Sequence, residues 1–107
     1  MRDIAHPGVE QLALPELLHA LSDPVRLEIV RELAEHSEMS CGKLDVPVSK
    51  STLTHHLKVL REAGLTRTRS EGVQRIVSLR REDVEARFPG LLECVLSHSE
   101  TSAVARV

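Results

Sequence analysis

Apolar residues recur at helical spacing in several separate stretches of the chain. The clearest stretch is residues 49–64, SKSTLTHHLKVLREAG. Its three leucines stand four and three positions apart, on one narrow face of a helix: Leu53, Leu57 and Leu60. Ser49 is a good N-cap residue, and Gly64 suits the left-handed conformation in which many helices end. The pattern therefore predicts a helix that begins after Ser49 and ends at Gly64.

The opposite face of this helix carries polar side chains of only a few types. Four short hydrogen-bonding or cationic residues project there: Ser51, Thr54, His55 and Lys58. None is a carboxylate, which suits a surface that faces phosphates and base edges, and a DNA major groove is wide enough to admit one helix. His56 flanks the leucines and is expected to be a half-buried structural residue.

The residues before this helix complete a recognisable unit. Residues 39–48, MSCGKLDVPV, favour a short helical turn followed by a turn at Pro47. A short helix, a turn and a capped helix in this order predict a helix-turn-helix, whose second helix reads DNA.

Two further helices are predicted upstream. Leucines from Leu12 to Leu21 have helical spacing, with Pro15 tolerable only in the first turn. Asp23 and Pro24 then supply the cap and first position of a second helix, which the apolar pattern continues to about His36.

Beyond Gly64 the pattern changes from helical to alternating. Residues 65–80 favour strands, and Ser70-Glu71-Gly72 predicts the turn of a hairpin. Arg67 and Arg69 alternate onto one face of the first strand, where they could contact a phosphate or enter the minor groove. Arg75 of the second strand is a further candidate for contacting DNA.

The last part of the chain is predicted to be helical in two pieces. One helix begins near Arg80 and is broken at Pro89-Gly90. An apolar stripe follows: Leu91, Leu92, Val95 and Leu96. This stripe is too apolar to remain exposed on a small monomer, so it is expected to form a dimer interface with Leu14 and Leu18 of the first helix.

Three runs of this sequence resemble one protein family. They are ALSDPVRLEIV at 20–30, STLTHHLKVLREAGL at 51–65 and SEGVQRIVSL at 70–79, and they resemble the ArsR/SmtB family of bacterial winged helix-turn-helix repressors. The resemblance covers roughly residues 12–96. It implies a mainly α fold with a β-hairpin wing and a homodimer formed through the first and last helices. It also implies a DNA-reading helix that carries Ser49, Lys50, Ser51, Thr54 and His55. Lys50 stands where glutamine is frequent in the family, which bears on the base preference.

Charge is distributed unevenly along the chain. The 107 residues have a net charge of −2, which is unusual for a nucleic-acid binder. Residues 50–81, however, hold eight basic side chains and two acidic ones, a balance of +6, whereas the remainder carries −8. This asymmetry predicts one basic face on an acidic body. Phe88 is the one aromatic residue, which excludes the base-stacking platforms of many single-strand and RNA binders.

Candidate metal ligands depart from the two sites that the resemblance implies. Cys41 is one thiol where arsenic, cadmium and lead sensors of the family carry a Cys-x-Cys pair, so it is expected to be a small buried residue. Glu85 replaces the histidine of the family's zinc site. Imidazoles and carboxylates near the chain ends remain as candidate ligands of nickel or zinc at the dimer interface: His6, Glu10, His19 and His98, with Asp3 as a further oxygen donor. Scattered surface histidines are the alternative interpretation.

Together the patterns predict a single winged helix-turn-helix DNA-binding domain over residues 1–107, with flexible ends at 1–9 and 99–107. The expected function is sequence-specific binding of double-stranded operator DNA by a cytoplasmic homodimer that regulates transcription, with nickel or zinc as a modulator. A winged-helix module that binds protein and a family member without a metal response stay open as alternatives. No glycine-rich phosphate loop, nucleophile elbow or HExxH pattern occurs, so an enzyme is not expected. Nor does the sequence show a secretory or transmembrane segment, and no membrane partner is expected.

Overall fold

A computed structural model describes the backbone of residues 5–105 and the side chains of residues 5–98. Within that range five α-helices are present: α1 Leu14–Leu21, α2 Pro24–His36, α3 Lys50–Ala63, α4 Arg81–Arg87 and α5 Leu91–Ala105. The same range holds three strands: β1 Glu38–Ser40, β2 Thr66–Glu71 and β3 Gln74–Leu79. Short 3-10 turns lie at Val9–Gln11 and Cys41–Lys43. The predicted mainly α fold with a β-hairpin wing is confirmed.

The helix boundaries follow local signals in the sequence. The Asp23 carboxylate accepts hydrogen bonds from two backbone N–H groups in the first turn of α2, at 2.9 and 3.1 Å. The Ser49 hydroxyl accepts one from the backbone N–H of Thr52 at 3.3 Å. α3 ends at Gly64, whose φ of 93° is left-handed. Both predicted ends of α3 are therefore confirmed.

α2 lies at the centre of the core, where it contacts α1, α3, α5 and β3. The largest fully buried side chains are almost all aliphatic: Leu12, Leu17, Ile29, Val30, Leu33, Leu60, Leu65, Val77, Val84 and Leu92, with Thr66. Burying each large aliphatic side chain stabilises the fold by about 1.5–3 kcal/mol. The core thus fixes α3 against the sheet, and with it the direction in which the outer face of α3 points.

A third strand is present that the sequence pattern did not predict. β1 pairs antiparallel with β3, so β3 lies in the middle of a sheet ordered β1-β3-β2. Three residues are too few for an alternating pattern to be recognised, and the strand is stabilised by pairing with a segment almost forty positions away. The short helical turn predicted within residues 39–48 is present as the 3-10 turn Cys41–Lys43, with a bend at Pro47 and Val48, but Met39 and Ser40 belong to β1.

The hairpin turn is displaced from its predicted position. β2 continues to Glu71, which pairs with Gln74, so that Gly72 and Val73 form a two-residue turn. Gly72 has a φ of 64°, a conformation that glycine adopts without steric cost. Val73, predicted as a strand residue, instead stands fully exposed at the tip of the wing.

The described part of the amino-terminal segment is attached to the wing. The backbone N–H of Thr68 donates a hydrogen bond to Nε2 of His6 at 2.9 Å. Arg80 donates another to the carbonyl of Pro7 at 2.8 Å. His6 and Pro7 therefore have hydrogen-bond partners in the folded chain, while the flexibility predicted for residues 1–9 stays a prediction. Residues 1–4, which include Asp3, and residues 106–107 lie outside the described part of the chain.

The carboxy-terminal helix is longer than predicted. α5 runs from Leu91 to Ala105, although its apolar stripe ends at Leu96. The flexibility expected for residues 99–107 stays a prediction. Among the described residues no helix has the length and apolarity needed to cross a membrane.

Candidate nucleic-acid interface

The outer face of α3 brings the predicted polar residues together. Four exposed side chains form this face: Ser51, Thr54, His55 and Lys58. His56, Leu57 and Leu60 are buried on the opposite side, so the helix is fixed by one face and presents the other. The predicted burial of His56 is confirmed, and it is deeper than expected.

The first turn of α3 is suited to an anion. The Ser49 hydroxyl caps the helix and lies 3.0 Å from the hydroxyl of Thr52 and 3.3 Å from that of Ser51. The partial positive charge of a helix N-terminus and the exposed ammonium of Lys50 add to this cluster of donors. The Thr54 hydroxyl donates to the carbonyl of Lys50 at 3.0 Å, which leaves its oxygen able to accept a hydrogen bond. The site can therefore bind a phosphate while Thr54 and His55 face a base edge.

A buried polar network sets the position of α3. Nη1 of Arg26 lies 3.2 Å from Nδ1 of His56, and because a guanidinium can only donate, Nδ1 accepts. The same guanidinium donates to the carbonyls of Ala20 and His19, at 2.7 and 3.2 Å. Nε2 of His56 lies 3.9 Å from the Asp23 carboxylate. Arg26 thus connects the end of α1 to the middle of α3, a contact that the hydrophobic pattern gave no reason to expect.

Two of the three wing arginines predicted to contact DNA are paired with carboxylates. Arg69 donates to both carboxylate oxygens of Glu38 in β1, at 2.8 and 3.1 Å, and contacts Glu71 at 3.4 Å. The hydrogen bond from Arg69 holds the pKa of Glu38 below its usual range. Arg67 lies 3.6 Å from Asp83. The predicted alternation of both arginines onto an exposed face is confirmed, but a phosphate would have to compete with these partners.

Other exposed cations around α3 are not neutralised in this way. Lys50 starts the helix, Lys58 lies on its outer face, and Arg75 is exposed on β3. Within the described residues none of the three side chains forms an ion pair or hydrogen bond. Their charges remain available to a polyanion, so Arg75 is a better candidate than Arg69 for a wing contact.

Those predicted metal ligands that the structure describes are not brought together within one chain. Among the described residues no group of three or more His, Cys, Asp and Glu side chains could hold a metal ion. Nε2 of His6 already accepts the hydrogen bond from Thr68, and Nδ1 of His98 lies 2.8 Å from the carbonyl of Cys94 on α5. His19 is exposed at the end of α1, and Glu10 in the turn before α1.

Two other predicted roles depend on burial. Cys41 is half-buried, and burial raises the pKa of its thiol, which fits the small buried residue that was expected.

Of the predicted dimer residues, Leu14 and Leu18 are 40% and 48% exposed. Leu92 is only 2% exposed and belongs to the core of its own chain, so its assignment to an interface is wrong. Leu91, Val95 and Leu96 are half-buried.

Comparison with known proteins gives consistent matches. A family model described as a helix-turn-helix domain matches residues 21–69. The chain is 42% identical over 81 residues to the uncharacterized HTH-type transcriptional regulator YceK of Bacillus subtilis, over 73% of this chain and 81% of that protein. It is 38% identical over 90 residues to the biofilm growth-associated repressor of Agrobacterium fabrum, over 80% of this chain and 75% of that one.

Solved structures match the fold as well. The transcriptional repressor BigR from Xylella fastidiosa superposes with a TM-score of 0.58 and 34% identity, over 69% of this chain and 84% of that chain. Rv0081 of M. tuberculosis superposes with a TM-score of 0.63 and 31% identity, over 84% of this chain and 91% of that chain. The residues matched by the family model, 21–69, include α3 and its preceding turn, the unit on which the candidate interface is built.

Proposed function

Because this chain belongs to the ArsR/SmtB family of winged helix-turn-helix transcriptional regulators, we propose that it binds double-stranded operator DNA by sequence and represses transcription there. The observation that carries the proposal is the outer face of α3, which exposes Ser51, Thr54, His55 and Lys58 without a carboxylate among them. The site of action is the cytoplasm, where operator DNA lies.

The chemistry of this face matches the edges of base pairs. In the major groove each base pair presents a distinct set of donors, acceptors and methyl groups. The His55 imidazole can donate or accept, the Thr54 oxygen can accept while its methyl contacts a thymine methyl, and the Lys58 ammonium can donate to guanine or to a phosphate. Lys50 and the capped start of α3 hold the adjacent phosphates, which orients the helix in the groove.

We propose that the DNA-binding form is a symmetric homodimer. Leu14 and Leu18 expose large apolar side chains on α1, and half-buried apolar residues lie on α5. Burying these surfaces against a second copy removes them from water. A twofold axis also gives two copies of α3 the arrangement that a palindromic site requires.

The proposal is tested by selecting duplexes from a random library and measuring their binding by fluorescence anisotropy. We expect the selected duplex to bind more tightly than a scrambled duplex or either of its single strands. Its affinity should fall steeply with salt, because each phosphate contact releases condensed counterions. Absence of duplex binding in moderate salt would instead favour the protein-interaction module.

We propose separately that nickel or zinc modulates DNA binding and is held by ligands from two subunits, because the described residues of one chain hold no group of three. The exposed imidazoles of His19 and His98 are accessible for this role, whereas His6 would have to give up its hydrogen bond from Thr68. Calorimetric titration of His19→Ala and His98→Ala with each metal tests this, with His36→Ala as a matched exposed control. If both variants bind metal as the wild type does, the site does not exist.

A further inference from the structure

A groove with a volume of about 900 Å³ lies between the turn before α3, α3 itself and the wing. Apolar side chains contribute much of its lining: Leu44, Val46, Val48, Leu53, Leu57 and Val73. Four cations also line it: Lys43, Lys50, Arg61 and Arg75. No Asp or Glu is among the lining residues. The groove therefore combines an apolar surface with an uncompensated positive charge.

The cations of the groove are free to bind an anion. In the described part of the chain, none of Lys43, Lys50 and Arg75 has a carboxylate partner. On the same hairpin, by contrast, Arg69 is held by Glu38 and Arg67 by Asp83. The unpaired positive charges near the wing thus belong mainly to residues that line the groove.

Duplex DNA accounts for only part of this lining. Phosphates would satisfy Lys50 and Arg75, but a phosphate backbone is polar and gains nothing from an apolar surface. Val46 and Leu53 are half-buried, so each keeps part of its surface open to water. Ligand sites in proteins typically combine such a mainly apolar surface with a few charged groups, in volumes of roughly 300–1,000 Å³.

We infer that this groove binds an amphipathic organic anion, with its apolar body against Val46 and Leu53 and its carboxylate or sulfonate near Lys43, Lys50 and Arg75. Lys50 and Arg75 also belong to the surface proposed to bind DNA. An anion in the groove therefore opposes DNA binding, and by linkage DNA opposes the anion to the same degree. This competition rests on the proposed function, whereas binding of the anion does not.

Anilinonaphthalene sulfonate is a suitable probe, because its fluorescence rises in apolar surroundings and N-phenylnaphthylamine is a neutral analogue of it. Titration of the full chain without DNA should show saturable binding of the sulfonate. The neutral analogue should bind roughly tenfold more weakly or worse, because it lacks the charge-assisted contacts. Equal binding of the two probes would overturn the role of the cations.

Variants locate the site. Lys43→Gln and Val46→Asp should each weaken sulfonate binding by roughly tenfold, the first by removing a cation and the second by adding a carboxylate. Lys58→Gln is the matched control, since Lys58 is an exposed lysine on the outer face of α3 that does not line the groove. Unchanged thermal unfolding of the Lys43→Gln variant shows that its fold is intact. Equal loss with Lys58→Gln, or no loss with both groove variants, would refute the site.

Competition is measured separately, by adding the sulfonate to a labelled duplex bound to the protein. A fall in duplex affinity for the wild type, and a smaller fall for Lys43→Gln, is expected. If the sulfonate binds at the groove but duplex affinity stays constant, the competitive coupling is wrong. If the protein binds no duplex at all, the proposed function fails, while the titration without DNA still decides whether the groove is a site.

Discussion

Single polar side chains hold the wing and α3 in place through contacts between distant parts of the sequence. His6 accepts from Thr68, 62 positions later, and Arg26 contacts His56, 30 positions later. Sequence periodicity reports which face of an element is buried, but not which buried or half-buried polar groups will meet. For that reason the sequence suggests a candidate metal ligand at His6 and indicates no role for Arg26.

The partly buried position of His6 beside three arginines makes stability depend on pH. Burial lowers the pKa of His6, and the nearby charges of Arg67, Arg80 and Arg61 lower it further. The folded pKa then lies below the unfolded value of about 6.5, so between the two values the unfolded chain binds more protons. The contribution of His6 to the free energy of unfolding is therefore complete above the unfolded pKa. It is lost as the pH falls toward the folded pKa.

His6→Ala should therefore lower the free energy of unfolding by about 1 kcal/mol at neutral pH and flatten its decline on acidification. Urea unfolding at several pH values measures both effects. His55→Ala removes an exposed histidine and should leave the slope as it is in the wild type. If the free energy of unfolding of His6→Ala falls with pH as steeply as that of the wild type, His6 is not the source of this pH dependence.

The unequal pairing of the wing arginines leads to a second expectation. Arg75→Ala should weaken duplex binding and reduce the slope of log affinity against log salt by about one, because it removes one free phosphate contact. Arg69→Ala should weaken binding less, since Glu38 and Glu71 already occupy that guanidinium. Anisotropy titrations across a salt series compare the two. A larger loss with Arg69→Ala would show that the ion pairs open on DNA.

At the scale of elements, the sequence predicts a helix that is specified by its own residues better than a strand that depends on a distant partner. α3 has a cap at Ser49, a leucine stripe and a stop at Gly64, all within sixteen residues, and both of its ends were predicted correctly. β1 has only three residues and depends on β3 for its hydrogen bonds, so its own sequence did not reveal it. The wing turn lies later than predicted because Glu71 and Gln74 pair with each other. Only Gly72 and Val73 are left to form the turn.

Substitutions at three glycines distinguish the effect of backbone strain from the effect of steric crowding. Gly64 has a φ of 93°, and a Cβ there would lie 2.0 Å from Cδ2 of Leu12. Gly72 has a φ of 64° but open space around it, and Gly42 has open space and no positive φ. We expect Gly64→Ala to destabilise the fold by more than about 2 kcal/mol and Gly72→Ala by about 1–2 kcal/mol. Gly42→Ala should change stability by less than about 1 kcal/mol.

Urea unfolding of the three variants gives this ranking directly. If Gly64→Ala costs no more than Gly72→Ala, the close approach of Leu12 to the end of α3 is wrong.

At the scale of the whole molecule, the charge division found in the sequence corresponds to a surface feature. The basic stretch from residue 50 to residue 81 spans α3 and the wing, and its free cations lie around the proposed DNA face. Local composition was enough to predict this face. It was not enough to predict which arginines would be neutralised, because Glu38 and Asp83 come from elements outside the hairpin.

Assembly gives a prediction at the same scale. Leu18→Glu should convert a dimer to a monomer and lower operator affinity, because it places a charge on the exposed apolar surface of α1. Sedimentation and light scattering at micromolar concentration measure the mass. Val73→Glu adds a carboxylate at the exposed tip of the wing, away from α1 and α5, and should leave the assembly unchanged. A monomeric wild-type protein would rule out the proposed dimer.

The central claim is that the outer face of α3 distinguishes one DNA sequence from another. Its most direct test is the ratio of affinities for a selected operator and a scrambled duplex, measured by anisotropy at fixed salt. Thr54→Ala and His55→Ala should each lower this ratio by roughly tenfold while leaving affinity for the scrambled duplex nearly unchanged. Glu62→Ala, an exposed change near the far end of the same helix, should preserve it. An unaltered ratio in both Thr54→Ala and His55→Ala would contradict the claim.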